Sequence, residues 1–369
     1  MRRALPYIAS LFVGLLLGEA ALRLLGARFS TSFYVIDPDL GWALRPGVTG
    51  TYTGESVTNI QINSAAMRDD REYPQSKPAG RTRVAILGDS FAEAMQVRIE
   101  QTVARQLEAK LACRPNPEVL NFGVQGYGTA QQLLVWRNKA KAYKPDTVVL
   151  LFYTGNDLYN NVRALNPTNA NAAPYFTYDT ATQKLNFEPA LAEPSAAREA
   201  WASLVRVSKL AQFVTDAFYK LARPATDQNR DYMDKLIYRA PATGPMLQAW
   251  ANTEALIQQL RREVEAEGSK FLLVLASSGM QVHPDPEMRR KFLEFTGGDD
   301  LFYTEKRLDA FAKSKGMQVI FLGESMQQTA EKSSTFYYGF PGNLGNGHWN
   351  AEGHRFAAQA ISESICKSN

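Results

Sequence analysis

Ser90 stands in Gly88-Asp89-Ser90-Phe91, directly after the apolar run Arg83–Leu87 and just before a helical pattern. A serine at that junction can point its hydroxyl and its backbone N–H over the end of a strand, where a helix start favours negative charge. Gly88 permits the sharp turn, and Asp89 is placed to cap the helix. Gly88 also fits the first glycine of a Gly-x-Ser-x-Gly elbow, although Ala92 occupies the second glycine position. Three further blocks sit at apolar-run ends. Asn121-Phe122-Gly123-Val124-Gln125-Gly126-Tyr127-Gly128-Thr129 offers exposed backbone N–H groups; its Gly-x-x-Gly-x-Gly spacing is not the dinucleotide fingerprint. Gly155-Asn156-Asp157 brings a side-chain amide that can donate to a developing oxyanion. His348, in Gly347-His348-Trp349-Asn350, can reach back from the last loop to a serine at the first. Each block alone reads equally as an ordinary turn or cap. Their joint order supplies a nucleophile, oxyanion donors and a base, which are the parts of acyl transfer. His354 and His283 read as packing and loop residues.

Strands must carry those blocks. The runs Arg83–Leu87, Val119–Phe122, Thr147–Tyr153, Phe271–Leu275 and Val319–Leu322 suit strands buried on both faces of a parallel sheet. Between or after them lie helical patterns at Thr102–Leu111, Ala130–Ala142, Leu247–Glu267, Leu308–Lys315 and Ala351–Cys366. The alternation predicts a doubly wound α/β fold whose ligands bind at the strands' carboxyl ends. The stretch 28–80 predicts a small β-rich extension, with strands Thr49–Thr53 and Val57–Asn63 joined around Gly54-Glu55. The stretch 160–244 breaks the alternation and reads as an insertion. It starts loop-like, and Glu199–Leu221 is an amphipathic helix that packs on the main body, covers the site or lies on a membrane.

The 369 residues are 45% hydrophobic and 21% charged with a formal charge of +4, the profile of a folded chain with a large core. No lysine/arginine block tracks phosphates, so nucleic acid is not an expected partner. Two cysteines and three histidines exclude a zinc-ribbon scaffold, and no cofactor or metal is implied. Residues 1–27 read as a signal-anchor. Ala4–Gly18 is uncharged but shorter than the roughly 20 apolar residues a span needs. A Glu19–Arg23 pair, four apart, lets one helix continue through Leu22, Leu24 and Leu25. The alternative is a cleaved signal ending near Gly18-Glu19-Ala20. Arg2 and Arg3 place the start in the cytoplasm and the body outside it, on the periplasmic side.

Taken together, the four blocks resemble the SGNH (GDSL-like) hydrolase superfamily, over roughly residues 81–157 and 270–366. The resemblance implies a flavodoxin-like three-layer fold with about five parallel strands across 81–369. It implies Ser90 as nucleophile and His348 as base, with the Ser90 N–H, the Gly126 N–H and the Asn156 side chain as the oxyanion hole. It also implies action on acyl esters of lipids, small esters or polysaccharides. The membrane-segment layout looks like bacterial envelope members, some of which handle O-acetyl groups on exported glycans. One position departs from the pattern: Asn346 stands where the family usually places its acid. A neutral amide can orient an imidazole but cannot stabilise imidazolium as a carboxylate does. Asn346 can suffice, a carboxylate from elsewhere such as Glu324 or Asp157 can take the role, or the site binds glycan or a partner protein without turnover. In the implied fold the first and last helices share a face, so Cys113 and Cys366 are expected to form a disulfide. The expected protein is a serine esterase or O-acyltransferase.

Overall fold

The computed structural model describes residues 5–27, 29–191, 195–222, 235–242 and 244–367. Met1–Arg3, which set the expected orientation, and parts of the 160–244 insertion lie outside the described residues.

The chain opens with helix α1 (Leu5–Leu24), which runs on past Gly18. Its polar interruption is neutralised within one turn, where Arg23 pairs with Glu19 at 2.7 Å. The stretch Pro6–Leu24, with mean hydropathy 1.6, is long and apolar enough to cross a membrane. Two short antiparallel pairs follow: β1 (Tyr34–Asp37) with β2 (Gly41–Leu44), and β3 (Thr49–Tyr52) with β4 (Thr58–Gln61). The second pair is the expected hairpin, with Gly54 and Glu55 in its turn.

Five strands then form one parallel sheet. They are β5 (Thr82–Gly88), β6 (Pro117–Asn121), β7 (Thr147–Tyr153), and, late in the chain, two that follow the insertion. Short α2 (Ser90–Glu93) and α3 (Val103–Lys110) follow β5, α4 (Thr129–Asn138) follows β6, and α5 (Asp157–Asn160) follows β7. The insertion holds a hairpin, β8 (Tyr175–Asp179) with β9 (Lys184–Glu188), where the sequence reads as loop. It also holds α6 (Ala196–Val207) and α7 (Lys209–Ala222). The single helix expected over Glu199–Leu221 is therefore two. Ser208 is extended, with φ −109° and ψ 121°, and its hydroxyl accepts the Ala211 N–H at 3.1 Å, starting a new helix. Then come α8 (Gly244–Ala266), β10 (Lys270–Ala276), α9 (Pro286–Thr296), α10 (Tyr303–Ser314), β11 (Gln318–Phe321), α11 (Gly323–Ser333) and α12 (Ala351–Lys367).

The sheet order is β11-β10-β7-β5-β6, the flavodoxin-like doubly wound arrangement. Strand β7 shows why its residues are uniformly apolar. Val148, Leu150 and Phe152 enter the core shared with α4 and α8. Val149 and Leu151 enter the opposite core with α3 and α12. All five are fully buried, each contributing roughly 1.5–3 kcal/mol by transfer from water. The chain leaves β5 for β6 on one side, then crosses back to β7 on the other. The crevice at that reversal is where an open α/β sheet receives a ligand. Gly88 of β5 pairs in register with Leu151 of β7, so the loops after both strands emerge at one end. Behind α3 and α12, Cys113 and Cys366 are joined in a disulfide with Cα atoms 5.8 Å apart.

Candidate active site

Ser90 is the first residue of α2 and is 5% exposed. Asp89 caps that turn, its Oδ1 accepting the Phe91 N–H at 2.9 Å. The other carboxylate oxygen accepts from Asn156 Nδ2 at 3.2 Å, so the residue before the serine fixes the amide that follows β7. Asp89 is fully buried, and burial raises its pKa; the carboxyl of Asp157 is raised well above its ordinary value by burial and by Asp89 beside it. Asn121, at the end of β6, donates to the Ala92 carbonyl at 2.6 Å and accepts the Gly123 N–H at 3.0 Å, tying the second block to α2.

His348 arrives from the loop before α12. Its Nε2 lies 2.8 Å from Ser90 Oγ, and its ring stacks on Phe91 with centroids 5.1 Å apart. The residues that the sequence separates by 258 positions thus meet over the carboxyl end of β5. The imidazole's other face is where the structure departs from expectation. Asn346 is exposed, and its N–H bonds the Asn343 carbonyl at 3.4 Å; its amide is not what faces the ring. Glu324 lies 3.9 Å from Lys306, and Asp157 accepts the Tyr153 N–H at 2.9 Å, so neither alternative acid serves the ring. The carboxylate beside His348 is Glu55, in the turn between β3 and β4. Glu55 Oε1 bonds His348 Nδ1, and Oε2 accepts the His348 backbone N–H at 2.9 Å. A carboxylate only accepts, so Nδ1 carries the proton and Nε2 is left to accept from the serine hydroxyl. Gly347 makes the approach possible. Its φ is +78°, and a Cβ there would lie 2.2 Å from Glu55 Oε2.

The early segment supports the site in a second way. Gly126, with φ +77°, sits against the Trp42 ring, and Trp42 Nε1 donates to the Gln125 carbonyl at 2.9 Å. The Tyr34 hydroxyl lies within hydrogen-bond reach of Gln125 Oε1, at 3.1 Å, and of the two carboxyl oxygens of Glu93, at 3.0 and 2.9 Å. Arg68, buried, donates to the Glu93 carbonyl at 3.0 Å and to those of Ala94 and Val97. Burial pushes Glu93 up to about 8 and Arg68 down to about 10. Residues 34–68 therefore brace both the serine-bearing turn and the glycine loop.

Ser90, His348, Asp89, Asn156 and Gly126 are thus assembled at one sheet end, whereas Asn346 is not part of the hydrogen-bonded chain. Glu55, Trp42, Tyr34 and Arg68 escape a sequence reading. Glu55 lies 293 residues from its partner, in a turn where a glutamate is unremarked. The one available signal is indirect: no acid at Asn346 means that one must come from elsewhere. Of the other histidines, His354 is buried, accepts the Val103 N–H at 3.2 Å, and is pushed down to about 3 by burial. His283 accepts the Asp285 N–H at 3.1 Å. Both remain away from the serine's hydrogen-bonded chain. Among the described residues no cluster suited to a metal ion occurs.

The model of the GDSL-like lipase/acylhydrolase family matches residues 86–356. Nothing among curated proteins matches the chain. Similar solved structures include Axe2, an acetylxylan esterase from Geobacillus stearothermophilus, at 11% identity and TM-score 0.40, covering 77% of this chain and 94% of that one. A putative lipolytic protein of the G-D-S-L family from Desulfitobacterium hafniense DCB-2 has 12% identity and TM-score 0.35, with 77% and 99% covered. LAE5, an α/β hydrolase enzyme from the metagenome of Lake Arreo, Spain, has 13% identity and TM-score 0.39, with 78% and 97% covered. With nearly three quarters of its length matched by the family model, the chain belongs to the GDSL-like lipase/acylhydrolase family.

Proposed function

We propose that this protein is a serine esterase that removes acyl groups, acetyl foremost, from an envelope glycan or a small ester, or transfers them to a sugar hydroxyl. The observation that carries the reading is the continuous chain Glu55–His348–Ser90, with Nε2 at 2.8 Å from Oγ. Ser90 attacks the ester carbonyl and its hydroxyl proton passes to His348 Nε2. The tetrahedral oxyanion is held by the Ser90 N–H, the Gly126 N–H and Asn156 Nδ2, whose amide orientation is fixed by Asp89. Collapse expels the alcohol, which takes the proton from His348. Water, or a sugar hydroxyl, then attacks the acyl-enzyme, gives its proton to His348, and releases acid or the new ester with Ser90 restored. Glu55 keeps Nδ1 protonated and stabilises the imidazolium formed in each half. With that carboxylate in place, the amide at Asn346 gives no ground for a non-catalytic module. The helix α1 serves as a signal-anchor that holds the catalytic body outside the cytoplasm.

The test is acetate release from p-nitrophenyl acetate and from an O-acetylated polysaccharide by the purified full chain. Turnover that vanishes in Ser90→Ala supports an esterase. Acetyl appearing on an added polysaccharide acceptor assigns transfer. Wild-type protein that turns over neither substrate would end the proposal.

A further inference from the structure

The helical corner of the insertion is fastened to the end of α1 and carries an apolar face turned outward. Glu19 of α1 accepts the Lys209 N–H at 3.0 Å, the Leu210 N–H at 2.9 Å and the Ser208 hydroxyl at 2.8 Å. The two N–H groups are N-terminal donors of α7, which a helix cannot satisfy by itself. Arg23, paired with the same carboxylate, donates to the Val207 carbonyl at the end of α6. A carboxylate near the end of an apolar helix is costly in lipid unless it is paired; here every donor but Arg23 comes from the α6–α7 corner. The two helices are also locked together, Trp201 Nε1 donating to Thr215 Oγ1 at 3.2 Å and Gln212 Nε2 to the Val205 carbonyl at 2.9 Å.

Their buried side is small and includes Val205, Ala211 and Gln212. Their outward side is not. Val207 is 67% exposed, Phe218 66% and Leu221 80%, with Trp201, Phe213 and Val214 also exposed. Val214, Phe218 and Leu221 recur at i, i+4 and i+7, one stripe of α7, and Phe213 flanks it. Phe213 also meets the Phe29 ring edge-on, with centroids 5.8 Å apart, and exposed apolar surface of this extent marks a face that meets a membrane or another protein. A helix of 20 residues rises about 30 Å, the thickness of a hydrocarbon core, so Glu19, one turn from its end, belongs at the membrane–water boundary. The corner it caps must lie at the same depth.

We infer that α6 and α7 form an amphipathic foot that lies in the headgroup–acyl boundary beside α1, its occupant being the lipid surface itself. The inference rests on the reading of α1 as a retained anchor. Trp201, 43% exposed, is of a residue type that favours the interface, and Arg206 and Lys209 flank the corner with charge suited to anionic headgroups. The foot joins the insertion, and through it the body of the enzyme, to the membrane at a second point beside α1.

The test uses the full chain reconstituted in vesicles of phosphatidylcholine and phosphatidylglycerol, with one fluorophore per molecule. The native cysteines are joined to each other, so a single introduced thiol takes the label. Val13→Cys reports α1, Phe218→Cys reports the foot, and Lys313→Cys on exposed α10 is the control; retained esterase turnover certifies each fold. The expected result is quenching of the position-218 label by about twofold or more with shallow nitroxide lipid, as for an interfacial helix, against none for the control. The position-13 label should be quenched best by deep nitroxide lipid. A quenched position 13 with an unquenched position 218 overturns the foot and leaves the anchor standing. A position-218 label that is shielded from water yet unquenched by lipid means a protein surface covers the face, which also overturns it. If position 13 is itself unquenched, the anchor reading fails and the foot with it.

Discussion

Replacing Glu55 by glutamine isolates the carboxylate's part in the site. The side chain keeps its length, but one of its two acceptors becomes a donor. Glu55 now receives two N–H groups of His348, the backbone N–H at 2.9 Å and Nδ1–H. A glutamine can accept only one and opposes the other. A charge-assisted bond to the imidazolium contributes about 1.5–3 kcal/mol, and the lost charge adds up to about 4 kcal/mol at surface-like dielectric. Water reaches both groups, with His348 24% and Glu55 29% exposed, and screens part of that sum. A net loss of about 3–4 kcal/mol in the transition state corresponds to about 10²–10³ in kcat/KM. That is below the roughly 10⁴ seen for the equivalent change in a serine protease, whose acid is buried. The assay is p-nitrophenyl acetate turnover by full-length protein in detergent, with circular dichroism to certify the fold. Asn346→Ala, at an exposed position, should stay within about twofold of wild type. A Glu55→Gln enzyme as active as wild type, or an Asn346→Ala enzyme as crippled as Glu55→Gln is expected to be, would refute the reasoning.

Gly347→Ala should lower kcat/KM much as Glu55→Gln does, because its Cβ takes the place of Glu55 Oε2. The double variant should then be little worse than either single one, and additive losses would show that the two act separately. Glu93, buried and raised to about 8 from 4.5, holds a proton that the unfolded chain has lost between those values. Its contribution to stability is therefore present at acid pH and fades as pH rises toward 8, on the order of a few kcal/mol. Denaturant midpoints of wild type against Glu93→Gln should diverge with rising pH, the variant becoming relatively more stable; parallel curves contradict this. Removing the Cys113–Cys366 bridge with paired serines frees a loop of 253 residues and should destabilise by about 2–5 kcal/mol. Urea midpoints read the loss, esterase activity at low temperature should persist, and an unchanged midpoint goes against the account.

The parts of the molecule that the sequence made legible are those whose signal is local. Strands β5, β7 and β10 and most of β6 are runs buried on both sides, as Val148 to Phe152 show, whereas edge strand β11 is half-buried; the blocks of Ser90, Gly126 and Asn156 follow the ends of three of these runs, and that of His348 stands at the entrance to α12. Ser90, Gly126, Asn156 and His348 are therefore readable as turn chemistry once the sheet is read. Glu55 is not, because its role depends on the docking of a hairpin from before the sheet against a loop from the end of the chain. No periodicity encodes that contact. Asn346 lies outside the site for the complementary reason: nearness in sequence to His348 says nothing of direction, and Gly345 and Gly347, both at positive φ, turn the chain so that the residue between them is exposed. The break at Ser208 was hidden because the apolar stripe continues across it. It takes Glu19, from a helix nearly 190 residues earlier, to cap the second half.

The central claim is that Ser90 becomes the acyl carrier because His348 draws off its proton. Its most direct test is covalent capture with a fluorophosphonate, followed by peptide mapping of the adduct. The account predicts one equivalent of label on Ser90, much slower labelling in His348→Ala, and none in Ser90→Ala. Label on another residue, or undiminished labelling of the Ser90→Ala protein, would contradict it.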